Sequence, residues 1–190
     1  GINVARVALL LAGLPDSVPG MTVNRFCASG LQAVAIAADR VRLGEADVII
    51  AAGTESMSMV PMMGNKVAMN PAMFTHNEHV AIAYGMGMTA EKVAQQWKIT
   101  RDQQDEFALT SHTRAINAID MGEFDDEIAP YPIEEKKPNL SSHEVVAIKS
   151  MRDTDEGPRA DTSLDALAKL KSVFAADGTV TAGNSSQMSD

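Results

Sequence analysis

The sequence has 190 residues, of which 45% are hydrophobic and 22% charged, and a net charge of −9 at pH 7. This balance is typical of a globular chain and excludes a disordered one. No apolar run approaches the ~18 residues of a membrane span, and an acidic chain with 4% aromatic residues is a poor candidate for nucleic-acid binding. A single cysteine excludes an internal disulfide and a thiolate metal cage, which predicts a reducing compartment.

The first 56 residues alternate between helical and strand patterns. A short apolar helix is predicted over residues 2–13, and a strand over residues 21–26. Residues 31–43 are almost wholly apolar, which predicts a buried helix, and residues 48–52 (VIIAA) form a continuous apolar run of strand length. Helix, strand, buried helix and strand in this order indicate an α/β layered core with parallel strands.

The remainder of the chain has a different character. Eight of the twelve methionines lie in residues 57–88, which indicates an inserted lobe or a pocket wall. Thr100 and Gln103 form a capping-box pattern at the start of a long helix. The elements predicted here are helices over residues 89–97, 100–121 and 164–174, and strands over residues 128–133, 144–151 and 179–182.

Cys27 is the strongest candidate for chemistry. It lies where the predicted strand 21–26 ends and the buried helix begins, and a helix N-terminus presents free N–H groups and partial positive charge. Both favour the thiolate, and the small residues that follow leave the approach to the sulfur open. The functional interpretation is a nucleophile on a strand-to-helix turn. The alternative is an inert buried cysteine, because free cysteine is among the most buried residue types.

Three weaker motifs favour structural interpretations. Residues 85–90 (GMGMTA) match the spacing of a dinucleotide fingerprint, but the next element is another helix, so close packing or a pocket lining is preferred. His76 and His79 lack a visible third ligand for a metal site. The acidic run 123–127 lacks the spacing of a calcium loop, which favours a solvated turn. No metal site is therefore predicted.

Three segments carry a resemblance to a known family. Residues 23–31 (VNRFCASGL), 53–58 (GTESMS) and 179–186 (TVTAGNSS) together resemble the thiolase family, in the order in which that family has them. The resemblance implies a thiolase-like layered α/β core, present in part, with an inserted loop domain. It assigns residues 1–56 to the N-terminal core, residues 57–178 to the loop domain that binds coenzyme A (CoA), and residues 179–190 to the return strand.

The resemblance also implies roles for four residues. Cys27 is expected to attack the substrate carbonyl and become acylated, with its own N–H as one donor of the oxyanion hole. Met86 matches a pocket methionine beside the reacting acyl group. Arg159 and Ser186 match positions that contact CoA, and an arginine suits its phosphates. The implied reaction is thiolytic cleavage of a 3-ketoacyl-CoA, as in fatty acid β-oxidation, with CoA as a substrate and no tightly bound cofactor.

Other motifs of the family are not in the sequence. It has no Gly-His-Pro motif and no second cysteine in a Cys-x-Gly motif, so the chain alone is expected to be inactive or to acylate slowly. Two alternatives stay open: a biosynthetic acetoacetyl-CoA thiolase, and a non-catalytic acyl-CoA-binding relative. A nicotinamide-dependent enzyme is a remote third. The resemblance further implies a homodimer or homotetramer and a location in a bacterial cytoplasm or an organelle matrix. The first residue, Gly1, suggests that the true N-terminus is absent.

Overall fold

A computed structural model describes residues 2–62, 64–75 and 85–188. The chain divides into two compact units, one up to Ser56 and one from Met57 onward. Each unit has helices of its own, and the only hairpin among the described residues belongs to the second.

The first unit contains two helices, α1 (Val4–Leu11) and α2 (Ser29–Arg42). The Asn3 side chain caps α1 by accepting a hydrogen bond from the backbone N–H of Arg6. The guanidinium of Arg6 donates to the backbone carbonyls of Val18 and, at 2.7 Å, Asp16. Gly20 lies so near α1 that a Cβ there would fall 2.8 Å from the Arg6 backbone. The segment that follows α1 is therefore folded back against it.

The strands predicted over residues 21–26 and 48–52 are wrong for the described structure, in which neither segment pairs in a β-ladder. The prediction of a buried α2 is also wrong, since no residue of that helix is buried and Leu31 is 75% exposed. The two outcomes have one cause. A parallel strand is stable only beside another strand, and an apolar helix is buried only where a sheet covers it. No such sheet forms among the described residues of this unit.

Among its described residues, the second unit contains three α-helices and one hairpin. Its helices are α3 (Met86–Trp97), α4 (Arg101–Asp120) and α5 (Leu164–Ala168), and one turn of 3₁₀ helix occupies Pro71–Phe74. The predicted capping box is confirmed: the Thr100 side chain accepts from the backbone N–H of Gln103, and the Gln103 side chain accepts from that of Thr100. The helix predicted over residues 164–174 is shorter than expected, because the chain leaves the helix after Lys169.

The two strands β1 (Tyr131–Asn139) and β2 (Glu144–Arg152) form an antiparallel hairpin. Asn139 pairs with Glu144, and the Asn139 side chain accepts the backbone N–H groups of Ser141 and Ser142 in the turn between the strands. The strand predicted over residues 144–151 agrees with β2, whereas the strand predicted over residues 128–133 lies several residues too early for β1. Except for the half-buried Ile133, the hairpin is exposed on both faces.

The core of the second unit lies where α3, α4, α5 and residues 179–185 meet. Its buried apolar residues are Ala94, Ala108, Leu167 and Val180. Residues 179–182 do not form the strand that was predicted for them. One of them, Thr181, makes an isolated antiparallel bridge with Ser172. Within the described ranges, no helix is both long and apolar enough to cross a membrane.

Candidate active site

Cys27 lies on a tight turn that leads into α2. The preceding residue, Phe26, has a left-handed backbone with φ 48°, which a bulky side chain rarely adopts. The turn is closed by two backbone hydrogen bonds, from Ala28 N–H to the Arg25 carbonyl (3.1 Å) and from Ser29 N–H to the Phe26 carbonyl (3.0 Å). The reversal brings Cys27 to the N-terminal side of α2, whose N-cap is Ala28.

The side chain of Ser29 stabilises this turn from within. Its hydroxyl donates to the Phe26 carbonyl at 2.7 Å and accepts from the backbone N–H of Arg25 at 2.8 Å. The first residue of α2 therefore fixes the left-handed residue before the cysteine. The serine of the CASG motif thus has a structural reason to be there, which residue types alone do not reveal.

The Cys27 side chain is exposed, as are most residues of the first unit, in which no described residue is buried. The amides of Ala28 and Ser29 are used in closing the turn. Among the residues that the structure describes, the backbone N–H of Cys27 donates to no acceptor with normal hydrogen-bond geometry. A free thiol beside a free amide is the pair that acyl transfer needs, one group to attack and one to bind the developing oxyanion.

Arg159 lies on a loop of the second unit and forms a two-point ion pair with Asp161. Its Nε and Nη2 atoms donate to the two carboxylate oxygens at 3.2 and 3.1 Å. The pair lowers the pKa of Asp161 and raises that of Arg159, chiefly through these hydrogen bonds. His112 holds the loop from α4, because its Nδ1 accepts the backbone N–H of Arg159 at 3.1 Å.

The ion pair orients the Arg159 guanidinium but uses only two of its N–H donors. A guanidinium has five N–H donors, and the side-on pair with Asp161 leaves both hydrogens of Nη1 and one of Nη2 without a described acceptor. Those donors lie at the end of the guanidinium group, and their spacing matches two oxygens of a phosphate. The arrangement fits an anion-binding arginine whose direction is set by its neighbour.

Ser186 is exposed and directly follows a turn that is hydrogen-bonded on both sides. Its neighbour Ser185 donates to the Thr181 carbonyl at 2.7 Å. The segments of Arg159 and Ser186 also meet: a Cβ added at Gly157 would overlap the side chain of Gln187. The structure thus brings together the loops that carry the two residues expected to contact CoA.

Met86 is the first residue of α3 and is 72% exposed. The next residue, Gly87, packs against the ring of Phe174, which a Cβ at that position would overlap. Close packing, the preferred interpretation, therefore accounts for Gly87, the second glycine of the GMGMTA segment, whereas a Cβ at the first, Gly85, would meet no atom within 4 Å. Cys27 belongs to the first unit, whereas Met86, Arg159 and Ser186 belong to the second.

The weaker candidates gain no support as ligand sites. His76 and His79 lie outside the described residues. In the acidic run 123–127, Asp125 folds back over Gly122, in keeping with a turn. No group of three or more His, Cys, Asp or Glu side chains that could hold a metal ion occurs in the described part of the chain.

Four polar residues of the second unit make contacts that the sequence did not predict: Glu91, Asp105, His112 and Asn184. All four bind segments that are distant along the chain, at separations of 47 to 89 residues. A pattern of residue types gives no signal for such a contact. Of the four, Asn184 lies in the segment 179–186 that carries part of the family resemblance.

Comparison with known proteins gives the family. The model of the thiolase N-terminal domain matches residues 1–190. The chain belongs to the thiolase family. It is 45% identical over 190 residues to a 3-ketoacyl-CoA thiolase of Bacillus subtilis, and 41% identical over 200 aligned positions to an acetyl-CoA acetyltransferase of Pseudomonas aeruginosa. The alignments cover 100% of this chain but 48% and 49% of those thiolases, so it spans about half their length.

Solved thiolase structures share the fold. The acetyl-CoA acetyltransferase of Bacillus anthracis superposes with a TM-score of 0.74 and 39% identity, covering 97% of this chain and 47% of that one. The dimeric peroxisomal thiolase of Saccharomyces cerevisiae superposes with a TM-score of 0.77 and 35% identity, covering 94% and 43%. The fold class is therefore a thiolase-like α/β core, present in part, as the sequence resemblance implied.

Proposed function

We propose that this chain carries the nucleophile and the CoA-binding residues of a 3-ketoacyl-CoA thiolase. The proposal rests on Cys27, which lies on the turn that enters α2. Its thiol is exposed, and its backbone N–H donates to no acceptor among the described residues. The family match supports acyl transfer from CoA thioesters, and the name of the Bacillus subtilis relative favours 3-ketoacyl substrates.

In the proposed reaction, the Cys27 thiolate attacks the 3-keto carbonyl of the substrate, and the Cys27 N–H binds the resulting oxyanion. Collapse of this intermediate breaks the bond between carbons 2 and 3. The two-carbon fragment leaves as the enolate of acetyl-CoA and takes up a proton. The shortened acyl group stays on Cys27 as a thioester until the thiol of a second CoA attacks it and releases the thiolate.

The second unit supplies the CoA contacts in this proposal. The free end of the Arg159 fork binds phosphate oxygens, and Ser186 contacts the same ligand from the neighbouring loop. Met86 offers an exposed apolar side chain for the acyl chain. CoA enters as a substrate and not as a resident cofactor. We also propose a location in a bacterial cytoplasm or an organelle matrix, and a homo-oligomeric state, since one solved relative is the dimeric peroxisomal thiolase of Saccharomyces cerevisiae.

The acid and base that move the protons in this scheme have no candidate in the described site. The sequence lacks the Gly-His-Pro and Cys-x-Gly motifs. We therefore propose that the chain by itself performs the first half of the reaction at most, slow acylation of Cys27.

The direct test is to incubate the full chain with acetyl-CoA and to measure the mass of the peptide that contains Cys27. We expect the mass to rise by one acetyl group, and Cys27→Ala to remove this adduct while CoA binding by calorimetry is retained. Ser142→Ala, in the exposed turn of the hairpin, is the control and should acylate as the unaltered chain does. CoA binding without any Cys27 adduct would favour a non-catalytic acyl-CoA-binding protein instead.

The direction of the reaction needs a separate measurement. A chimera in which this chain replaces its aligned segment of the Bacillus subtilis relative would place it in the context of a full-length thiolase. We expect the chimera to cleave 3-ketoacyl-CoA substrates longer than acetoacetyl-CoA. Turnover restricted to acetoacetyl-CoA would favour the biosynthetic alternative, which the name of the Pseudomonas aeruginosa relative suggests for that protein.

A further inference from the structure

A buried polar cluster lies directly behind the segment that carries Ser186. Its centre is Asp105 on α4, which is only 4% exposed. One oxygen of this carboxylate accepts from Arg101 Nε at 2.8 Å, and the other accepts from Asn184 Nδ2, also at 2.8 Å. A buried carboxylate is costly unless it is paired and hydrogen-bonded, and here both conditions are met.

Asn184 uses its amide group to fix the turn before Ser186. Its Oδ1 accepts the backbone N–H of Thr181 at 2.7 Å, and its Nδ2 donates to the Thr179 carbonyl at 3.1 Å as well as to Asp105. The three contacts define which end of the amide carries the nitrogen, because a flipped amide would face two acceptors with its oxygen. Asp105 thereby selects one orientation of Asn184.

The rest of the turn is equally constrained. Thr181, which is fully buried, accepts the backbone N–H groups of Gly183 and Asn184 through its hydroxyl, and Ser185 donates to its carbonyl. No buried side-chain nitrogen or oxygen in the described residues lacks a partner. The exposed Ser186 thus leaves a turn in which the preceding polar atoms are anchored to the core.

We propose that Asn184, oriented by the buried carboxylate of Asp105, is a positioning residue that sets Ser186 for its contact with CoA. The inference rests on the proposed function, because it takes Ser186 as a CoA contact. It assigns to Asp105 and Asn184 a task beyond packing: they determine where the exposed serine lies relative to the Arg159 loop, which touches the same segment through Gly157 and Gln187.

The contacts of the pair allow a test by a double-mutant cycle. Asp105→Asn replaces one carboxylate oxygen by an amide nitrogen, which then faces either the Arg101 guanidinium or the amide nitrogen of Asn184. Asn184→Asp sets a carboxylate oxygen against the Thr179 carbonyl and the Asp105 carboxylate. If Asp105 acts through Asn184, the effects of the two changes on CoA binding are not additive. Asp102→Asn, an exposed position on the same helix, is the matched control for loss of one carboxylate.

The measurement is the dissociation constant of CoA for the full chain, by calorimetry, with the urea midpoint recorded for every variant. Each single exchange should weaken CoA binding by about tenfold. The double variant should bind CoA within about threefold of the weaker single variant, because Asp105 is proposed to act through Asn184, and Asp102→Asn should not change the dissociation constant.

A second arm separates positioning from general stability. If Asn184 acts through Ser186, then Asn184→Asp should weaken CoA binding in the unaltered chain but have no further effect in a Ser186→Ala chain. Persistence of the full effect in the Ser186→Ala chain would overturn the inference, as would additive losses of binding from Asp105→Asn and Asn184→Asp. Absence of CoA binding by the unaltered chain, or a Ser186→Ala variant that binds normally, would instead overturn the proposed CoA site.

Discussion

Both carboxylate oxygens of Glu91 accept the backbone N–H of Thr179, at 3.1 and 3.0 Å. The same side chain accepts the backbone N–H of Val180 at 2.9 Å. One side chain of α3 thus satisfies two consecutive amides of a segment that has no β-ladder to bind them. A carboxylate here replaces the strand that would otherwise pair with these residues.

We predict that Glu91→Gln destabilises the second unit by about 1–2 kcal/mol, because the amide keeps one acceptor and loses the charge that strengthens these bonds. The urea-unfolding midpoint of the full chain measures the loss. Glu106→Gln, at an exposed position of α4, is the control and should leave the midpoint unchanged. Equal midpoints for the two variants would contradict a structural role for Glu91.

A second prediction concerns Gly87, whose added methyl group would overlap Phe174. Gly87→Ala should cost about 1–3 kcal/mol in stability, since the ring must leave its packed position. The matched control is Gly30→Ala, because Gly30 is likewise the second residue of a helix but faces open space. That change should stabilise by up to about 1 kcal/mol. Phe174→Leu should partly rescue Gly87→Ala, and a lack of rescue would argue against the contact.

A third prediction concerns the left-handed backbone of Phe26. Its side chain is 82% exposed, so replacing it sacrifices little packing. Phe26→Gly should raise stability by about 0.5–1 kcal/mol, because glycine adopts φ 48° without strain, whereas Phe26→Val should lower it. Lys98→Gly, which replaces another left-handed residue (φ 55°) at the end of α3, should raise stability in the same way and is the control for the labelling experiment. Only the Phe26 variants should alter the rate at which iodoacetamide labels Cys27. A Phe26→Gly chain less stable than the unaltered one would rule out this conformation.

A fourth prediction follows from the Arg159–Asp161 pair. The pKa of Asp161 lies below its ordinary value of 3.8, because the carboxylate accepts two hydrogen bonds from Arg159. The pair therefore stabilises the loop above the ordinary pKa and loses that contribution as the pH falls through the lowered value. A carbon-13 NMR titration should give Asp161 a midpoint below 3.8, and Arg159→Gln should raise this midpoint towards 3.8.

The pair of Glu135 and Lys137 offers an internal control for that titration. Lys137 likewise lowers the pKa of Glu135 from 4.5, by a hydrogen bond and by its charge. Arg159→Gln should leave the Glu135 midpoint unmoved, and Lys137→Ala should shift Glu135 alone. A simultaneous shift of both carboxyl groups in either variant would indicate a global change rather than the loss of one ion pair.

The helices were predictable because their signals are local. The capping box of Thr100 and Gln103, and the glycine that follows α4 at Gly122, lie within a few residues of the contacts they make. The start of α2 soon after Cys27 was predicted for the same reason, since small residues mark it, although the strand predicted before Cys27 does not form. These features need no information from the rest of the chain.

The errors share a physical origin in long-range pairing. An apolar run such as residues 48–52 indicates a strand, but a ladder requires a second strand at about 4.8 Å, which no local pattern supplies. The Asp105–Asn184 contact was equally out of reach, since its partners lie 79 residues apart. The roles of Cys27, Met86, Arg159 and Ser186 came from family resemblance and remain predictions.

The exposed position of Cys27 has a practical consequence because the chain contains no other cysteine. A maleimide spin label or fluorophore would attach at Cys27 alone, without prior mutagenesis, and its signal would report on the surroundings of the proposed reaction centre. Mobility of such a probe would then register whatever approaches α2, whether a thioester, a second copy of the chain or the complementary half of a relative.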